Sequence, residues 1–446
     1  MFCERMKEYQ GGLQPFAPYA AAEERKAWEA LPAGWREETL RLGERFLRYS
    51  YPYLSATDFM DFSRTGNRVR FEEAYFAKRR ALSALVLAEC VEGKGRFMDD
   101  VINGIFSICE ESAWQLPPHN TYVRDAVQLP LPDETKPVLD LFACETGAVL
   151  GCVSYLLKRQ LEEVSPVITK RIQNEIKHRI TTPYRNTHFW WMGNGKEPMN
   201  NWTIWCTQNV LLSVLFTDED EAQRRAVLEK AVKSVDYFLD EYGEDGCCDE
   251  GAQYYRHAGL SLFQTMEILN AVTGGFFSEQ YREEKIKNIA AYILNVHVDG
   301  KYYINFADCS PVAGSAGARE FLFGERTKNP DLMLFAARDF AEGGTDTLLL
   351  PEENNLYYRL QNGFTAGRML CYAQERTSCA LHHPDVWYPS TGLLVARDEH
   401  LCMAVKAGDN ADSHNHNDAG SFTVYRDGRP LLIDVGVGSY TKQTFS

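Results

Sequence analysis

Apolar residues recur every three or four positions through most of the first 340 residues, which predicts helices separated by short polar breaks. The clearest of these segments are Phe71–Cys90, Asp140–Leu157, Trp202–Phe216, Glu221–Tyr242 and Tyr281–Val296. Several of them end at glycine or run into turns that contain Asp or Pro, as helix ends do. Because short loops connect them, we expect consecutive helices to form antiparallel hairpins.

The pattern changes after a stretch rich in Gly, Thr, Pro and Asn at residues 343–355. Beyond it, apolar and polar residues alternate, which predicts antiparallel strands. The predicted strands lie within residues 363–373, 391–397, 401–407, 421–425 and 430–434. The Asp427-Gly428 pair between the last two is the strongest hairpin signal in the chain. The sequence therefore predicts a helical domain at residues 1–345 and a β-sandwich or jelly-roll-like domain at residues 346–446.

The second domain has a short sequence for a complete sandwich. The chain stops at Thr444-Phe445-Ser446 without a closing strand or a cap. We therefore expect the β-sandwich to be truncated, in a chain that is a fragment or a shortened form.

Composition indicates a folded protein that does not bind nucleic acid. Hydrophobic residues make up 45% of the 446 positions and charged residues 24%, enough to build a large core. The net charge is −15 and no run of five basic residues occurs, whereas phosphate binding needs clustered cations. A local cationic groove on an acidic protein can still bind an acidic poly- or oligosaccharide. The oligomeric state is left open.

The N-terminal residues do not predict export or membrane insertion. They lack the stretch of about 7–15 apolar residues that a secretory signal needs, and the chain has no run of about 18 that would span a membrane. The 12 cysteines are scattered, without a CxxC pair, which favours reduced thiols. We therefore expect a cytoplasmic protein with no membrane partner.

The densest polar cluster is at residues 409–420 and leads into a predicted strand. On an extended segment His414, His416 and Asp418 share one face. Asp434 lies on the partner strand of the hairpin, where cross-strand neighbours can reach one ligand. Imidazoles and carboxylates on adjacent strands bind borderline metals such as Zn²⁺, so we predict a functional site here, with a hydrogen-bonded loop as the alternative.

A second cluster, Asn200-Asn201-Trp202, precedes an apolar helix. A single Asn in this position is first of all an N-cap. The pair, however, lies close in sequence to His188 and Trp191, and aromatic rings stack on sugars. Sugar binding and simple aromatic packing both remain open.

A third cluster contains two adjacent carboxylates, Asp249 and Glu250, either of which can cap the helix that follows. On that helix Tyr254 and His257 are three residues apart and can line one face. The further candidate substrate-binding residues here are Tyr255 and Arg256.

Together the three clusters resemble the heparinase II/III-like polysaccharide lyases. The most specific piece is His414-Asn-His416-Asn-Asp-Ala-Gly-Ser-Phe, followed by Leu-Leu-Ile-Asp434-Val-Gly, and the resemblance covers roughly residues 180–446. It implies an incomplete α/α toroid followed by an antiparallel β-sandwich. It also implies elimination across the 4-O bond of uronate-containing polysaccharides.

The resemblance assigns roles to the matching residues. It implies that Asn201 neutralises the uronate carboxylate, that Tyr254 is the catalytic acid and base, and that His414 is a second neutralising or proton-handling group. It implies that His416 and Asp434 are ligands of a structural Zn²⁺, whose third ligand has no candidate later in the chain. At the residue after the second Asn, where some relatives carry His, this sequence has Trp.

The chemistry of elimination accounts for these residue types. Removing the C5 proton places negative charge on the carboxylate, which donors such as Asn201 and His414 stabilise. Ionising a tyrosine of ordinary pKa at pH 7 costs about 4 kcal/mol, which nearby cations offset. The nearest cations in the sequence are Arg185 and Arg256. Tyr254 could then take the proton from C5 and return it to O4.

Two other functions stay open. A glycoside hydrolase on an α/α toroid would use Asp249 or Glu250 as the acid and release saturated sugars. A non-catalytic glycan-binding protein would use His416 and Asp434 only to hold the sheet together. For a lyase, the sequence does not select among heparan sulfate, chondroitin or hyaluronan, and alginate.

Overall fold

The computed structural model describes residues 1–124, 126–217, 220–408 and 419–436. The N-terminal part is helical. Its helices are α1 (Phe2–Glu8), α2 (Arg25–Glu29), α3 (Ala33–Glu44), α4 (Ala56–Thr65), α5 (Val69–Glu92), α6 (Met98–Cys109), α7 (Leu141–Leu156), α8 (Lys158–Val164), α9 (Pro166–Ile176), α10 (Thr182–Asn186), α11 (Asn201–Thr217), α12 (Glu221–Glu241), α13 (Gly251–Tyr255), α14 (Gly259–Val272), α15 (Glu284–Asn295), α16 (Ala318–Thr327), α17 (Pro330–Glu342), α18 (Gly344–Leu349) and α19 (Leu356–Glu375). Short 3₁₀ turns lie at Pro117–His119, Trp190–Met192 and Ser278–Arg282, and a π-helical turn at Lys177–Thr181.

Helix α11 lies at the centre of the helical part, packed against α7, α12 and α14. Helices α7 and α11 are buried on nearly all sides, as uniformly apolar helices are. They approach closely because Gly147 and Gly151 of α7 face α11. A Cβ at Gly147 would lie 2.6 Å from Ser213 Oγ. This packing fixes the direction of α11, whose first turn carries the Asn pair.

The helical part does not end at residue 345 as predicted, because α18 and α19 continue it to Glu375. Residues 363–373, predicted to be a strand, are helical. The alternation of apolar and polar residues there does not mark a strand, because the segment continues α19, where Gly363 packs so closely that a Cβ would lie 2.4 Å from Trp35 Cζ2. The helices therefore continue to Glu375, and the first strand of the large sheet begins at Val386.

The C-terminal part forms an antiparallel sheet, which confirms the predicted order of a helical part and then an all-β part. A separate two-stranded ribbon within the helical part consists of β1 (His297–Asp299) and β2 (Tyr302–Tyr303). The sheet consists of β3 (Val386–Tyr388), β4 (Leu393–Arg397), β5 (Leu401–Lys406), β6 (Phe422–Arg426) and β7 (Arg429–Leu432), in that order. Asp427 and Gly428 have φ of 48° and 73°, so the predicted tight hairpin between β6 and β7 is confirmed.

The two faces of the sheet differ. Leu393, Val395 and Tyr425 are buried on the side that faces the helical part. On the other side Trp387 and Leu394 are exposed. Among the described residues, this single sheet is the only one built from the C-terminal strands, so the structure shows one layer of the predicted sandwich.

Hydrogen bonds join the sheet to the loops around α13. Ser390 Oγ donates to Asp245 Oδ1 at 2.7 Å, just before α13. The side chain of Asn305 donates from Nδ2 to the Asp434 carbonyl oxygen at 2.9 Å. Tyr425 OH donates to a carbonyl oxygen of β2 at 2.8 Å. The sheet therefore holds in place the segments that flank α13.

Among the described residues, no single helix has both the length and the hydropathy to cross a membrane. Two consecutive helices, Leu141–Leu156 and Lys158–Val164, have that length and hydropathy only when taken together, and the chain bends by 78° between them. All 12 cysteines are free thiols in the structure, as their spacing predicted.

Candidate active site

The Asn pair begins α11 and contacts the segment that precedes α13. Asn200 Oδ1 accepts the Trp202 backbone N–H at 3.1 Å, so Asn200 has the capping role expected of an Asn before a helix. Asn201 is the first residue of α11 and is 2% exposed. Its backbone N–H donates to Glu250 Oε1 at 3.2 Å and its Nδ2 donates to Oε2 at 2.8 Å.

Glu250 is 2% exposed and is a site residue whose role the sequence did not show. It was expected to cap α13, yet its side chain makes no capping hydrogen bond to that helix. Instead, both carboxylate oxygens accept from Asn201. This contact joins two segments about 50 positions apart and places Asn201 beside the helix that carries Tyr254.

The side chain of Asn201 has donor and acceptor capacity left over. An amide nitrogen has two hydrogens, and Glu250 accepts from Nδ2 through one contact. Asn201 Oδ1 is buried and has no hydrogen-bond partner. A buried polar atom without a partner is costly, so this amide is suited to bind an additional group.

Tyr254 is half-buried on α13, with its ring centroid 6.4 Å from that of His257. The His257 ring stacks on Trp205 of α11, with centroids 3.9 Å apart. Burial, together with the positive charges of Arg319 and Arg256, lowers the pKa of His257 to about 3. His257 is therefore neutral near pH 7, and its Nδ1 is buried without a partner.

The second guanidinium near α13 comes from Arg319 on α16. Arg319 Nη1 donates to the Arg256 carbonyl oxygen at 3.0 Å, and its guanidinium carbon lies 4.0 Å from the Tyr358 ring centroid. Arg185, proposed from sequence proximity, is exposed and donates to Gln223 Oε1 at 3.1 Å. Sequence proximity missed Arg319 because it lies more than 60 positions after Tyr254.

One face of α11 contacts Glu250, His257 and Tyr358. Asn201 binds Glu250, Trp205 stacks on His257, and Gln208 accepts from the hydroxyl of Tyr358, at 2.6 Å, beneath Arg319. These α11 positions are i, i+4 and i+7, which share one helix face. The site is thus arranged along a rigid, buried helix rather than along loops.

Close to Trp205, α7 carries a buried carboxyl group, that of Glu145. Burial and the nearby charge of Glu353 raise its pKa to about 8, although Asn355 and the Trp205 indole act to lower it. Asn355 Nδ2 in turn donates to Asn209 Oδ1 at 2.9 Å. A lone Glu in an apolar helix gave no sequence signal for this network.

Two predicted sugar-binding residues are in the core, so those predictions are wrong. Trp191 is 1% exposed and donates from Nε1 to the Leu139 carbonyl oxygen at 2.8 Å. Tyr255 is fully buried and its OH donates to the Ala290 carbonyl oxygen at 3.3 Å. For these rings, aromatic packing was the correct alternative.

The other predicted aromatic residues lie at or near the surface. Trp202 is half-buried, with Trp190 at 5.2 Å and His119 at 4.7 Å between ring centroids. His119 Nδ1 lies 2.7 Å from Asp140 Oδ2. His188 is exposed, and the structure does not bring it into contact with Asn201 or Tyr254.

His414 and His416 lie outside the described residues, as does Asp418. Asp434 is described: its Oδ1 accepts the Gly436 backbone N–H at 2.8 Å. Within the described ranges, no three His, Cys, Asp or Glu side chains are grouped as a metal site. The described residues therefore include one of the two predicted zinc ligands and do not form a complete site.

The comparisons with known proteins agree with the sequence motifs. Residues 381–446 match the family described as Heparinase II/III-like, C-terminal. The resemblance to the heparinase II/III-like lyase superfamily is thereby confirmed. A comparison with curated proteins finds no match.

Solved structures share the fold along nearly the whole chain. A crystal structure of heparinase III is 12% identical, with a TM-score of 0.57, over 98% of this chain and 63% of that one. Another heparinase III structure is 15% identical, with a TM-score of 0.50, over 98% of this chain and 62% of that one. The chondroitin AC lyase of Streptomyces coelicolor A3, in complex with chondroitin sulphate, is 10% identical, with a TM-score of 0.51, over 96% and 57%.

These likenesses confirm the predicted fold class, a helical toroid followed by an antiparallel sheet. The chain spans about three-fifths of the length of the heparinase III structures that it matches.

Proposed function

We propose that this protein is a polysaccharide lyase that cleaves uronate-containing glycans by β-elimination. The contact between Asn201 and Glu250 carries the proposal, because it places a buried amide beside the helix of the half-buried Tyr254. The fold shared with heparinase III supports it. The substrate would be an acidic poly- or oligosaccharide, bound at Arg256 on the same segment.

In the proposed reaction, Tyr254 takes the proton from C5 of the uronate. Negative charge then develops on the carboxylate, where the second Nδ2 hydrogen of Asn201 and the side chain of His414 would donate hydrogen bonds. Glu250 holds Asn201 in place and is a positioning residue. As the C4–C5 double bond forms and the C4–O4 bond breaks, Tyr254 returns the proton to O4 and is again the phenolate that began the reaction, so one residue serves as base and as acid.

The surroundings of Glu250 count against a glycoside hydrolase. A general acid must deliver a proton to the leaving oxygen, but Glu250 is buried and both its oxygens accept N–H groups of Asn201. A binding-only function loses support because the rings of Trp191 and Tyr255 are not accessible to sugars.

The test is ultraviolet absorbance during incubation with heparan sulfate, chondroitin, hyaluronan and alginate, as polymers and as oligosaccharides. A lyase produces a C4–C5 double bond, so absorbance rises as product forms. New reducing ends without absorbance would establish hydrolysis instead. Neither signal with any sugar would leave glycan binding as the function.

Two variants test the role of Tyr254. Tyr254→Phe should abolish product formation and leave oligosaccharide binding nearly unchanged. Tyr372→Phe is the matched control, since Tyr372 is also half-buried but packs on α16, 5.5 Å from Phe321 between ring centroids. Activity above about a tenth of wild type in Tyr254→Phe would move the role to His257, because Tyr255 is buried.

We further propose that His416 and Asp434 bind a structural Zn²⁺. Imidazole and carboxylate are suitable zinc ligands, and the metal would cross-link the sheet without taking part in elimination. Metal analysis of the purified protein should find zinc, and His416→Ala should lower both the zinc content and Tm. A protein free of zinc with an unchanged Tm in His416→Ala would refute this.

A further inference from the structure

Hydrogen bonds from Arg256 and Arg319 join the end of α13 to the start of α16. Arg319 donates from Nη1 to the Arg256 carbonyl oxygen at 3.0 Å. The Arg256 side chain donates from Nη2 to the Ser315 carbonyl oxygen at 2.7 Å. Each segment therefore holds the other. Both positive charges act on His257, whose ring centroid lies 6.4 Å from that of Tyr254.

Within the described ranges, neither guanidinium forms an ion pair with a carboxylate. Among the described residues, no carboxylate oxygen lies within 4.0 Å of the Arg256 or Arg319 side-chain nitrogens. By contrast, the buried Arg79 binds both oxygens of Glu111, at 2.9 and 2.6 Å. Charges that leave water are normally paired. Arg256 and Arg319 are both half-buried, and Arg256 Nε is buried without any partner.

The acidic group that influences Arg256 is already engaged elsewhere. Asp339 Oδ2 accepts the Ala316 backbone N–H at 2.6 Å. Burial raises the pKa of Asp339 to about 6, and Glu320 also raises it. Asp339 thus stabilises the loop before α16, and its carboxylate oxygens lie more than 4.0 Å from the Arg256 side-chain nitrogens.

The surrounding residues hold both guanidinium groups in a defined position. Gly314 has φ of +81°, and a Cβ there would lie 2.5 Å from Arg256 Nη1, so the loop passes directly over this side chain. Arg319 lies on the ring of Tyr358, whose hydroxyl is bound to Gln208 of α11. Such preorganised guanidinium groups are well suited to bind oxyanions such as carboxylates and sulfates.

We propose that Arg319 and Arg256 form a two-guanidinium subsite that binds a carboxylate or a sulfate of the acidic glycan beside Tyr254. The proposal rests on the lyase function and adds Arg319 as a residue that determines specificity. On a chain with a net charge of −15, such a local positive site attracts an anionic sugar to this position.

The experiment measures binding in the Tyr254→Phe background, where no turnover interferes. Titration calorimetry with hyaluronan oligosaccharides is carried out over a series of NaCl concentrations. Arg319→Gln should weaken binding about tenfold, the loss of one charge-assisted contact, and should flatten the dependence on salt. Arg319→Lys should restore the salt dependence but only part of the affinity.

The matched control is Arg376→Gln. The Arg376 guanidinium carbon also lies over a tyrosine, 3.8 Å from the Tyr372 ring centroid, but Arg376 is the residue that follows the last turn of α19, far along the chain from α13. It should leave affinity and salt dependence unchanged. Thermal melting of each variant shows whether it is folded. If Arg319→Gln does not fold, Arg319→Lys measured against wild type gives the same test.

Different ligands identify the bound group. If Arg319→Gln weakens the affinity for hyaluronan but not for carboxyl-reduced hyaluronan, the bound group is a carboxylate. A loss seen with chondroitin sulfate and absent with desulfated chondroitin identifies a sulfate. An equal loss with neutral and charged sugars, or no loss at all, overturns the subsite.

The two proposals can fail separately. If no unsaturated product forms with unaltered protein but Arg319→Gln still loses salt-dependent binding, the subsite stands and the lyase function does not. If product forms and Arg319→Gln keeps its kcat/KM and salt dependence, the lyase function stands and the subsite does not.

Discussion

Trp205 and His257 stack with ring centroids 3.9 Å apart and an angle of 17° between planes. This contact joins the central helix α11 to the segment that carries Tyr254. Because His257 is held against an apolar ring and near two guanidinium groups, it favours the neutral form. Its effect on stability is therefore predictable.

The first prediction concerns acid sensitivity. The folded-state pKa of His257 is about 3 and the unfolded one about 6.5, so stability falls as pH drops below 6.5. The Gln side chain of His257→Gln cannot be protonated. Between pH 7 and pH 5 the free energy of unfolding of this variant should therefore fall by about 2 kcal/mol less than that of wild type. Urea unfolding at both pH values checks this. Equal losses in the two proteins would contradict it.

The second prediction concerns Glu145, whose pKa is raised to about 8. Its contribution to the free energy of unfolding is complete below pH 4.5 and is lost as the pH rises through 8, because the Glu145 carboxyl ionises at a lower pH in the unfolded protein than in the folded one. Between pH 4.5 and pH 7 this group should lower the free energy of unfolding of wild type by up to about 3 kcal/mol. Glu145→Gln lacks the carboxyl and should not show this loss. Thermal melting across this range tests it. A constant difference between the two proteins would be inconsistent with a buried neutral carboxyl.

The third prediction concerns the pair of Asn201 and Glu250. Glu250→Ala leaves two buried N–H groups of Asn201 unpaired, which should cost about 1–3 kcal/mol and lower kcat. Glu250→Gln keeps one acceptor and should be milder. A double-mutant cycle with Asn201→Ala measures the coupling. Additive effects on stability and kcat would show that Glu250 does not position Asn201.

The fourth prediction compares two glycines of α19. Gly363→Ala places a Cβ 2.4 Å from Trp35 Cζ2 and should destabilise the protein by about 1–3 kcal/mol. Gly367→Ala meets only Pro32 Cγ at 3.8 Å and should stabilise the helix by about 0.5–1 kcal/mol. Denaturant unfolding measures both. The opposite order would mean that α19 does not pack on Trp35.

Local patterns in the sequence predicted the elements well. The helix from Asp140 to Leu157 is α7, with Asp140 as its cap, and the Asp427-Gly428 pair forms the expected hairpin. The error at residues 363–373 has a physical cause. Apolar and polar residues alternate over this short segment as they do in a strand, yet it continues α19 and packs against Trp35, a contact between distant segments that the local pattern does not show.

The site was predictable only in part. The Asn pair and Tyr254 came from local motifs, and the structure brings their segments together. The roles of Glu250 and Arg319 depend on contacts between distant segments, which spacing does not show. Trp191 and Tyr255 show the converse, since neighbouring aromatic residues can point in opposite directions along a turn or helix. Zinc binding and a cytoplasmic location stay predictions.

The arrangement along α11 has a consequence for insertions and deletions. Adding one residue to an α-helix rotates everything beyond it by about 100° and advances it by about 1.5 Å. An insertion between Asn201 and Trp205 would turn Asn201 away from Glu250, or Trp205 and Gln208 away from His257 and Tyr358. Loop lengths around the site can therefore vary, while the pitch of this helix sets the spacing between the amide, the imidazole and the guanidinium.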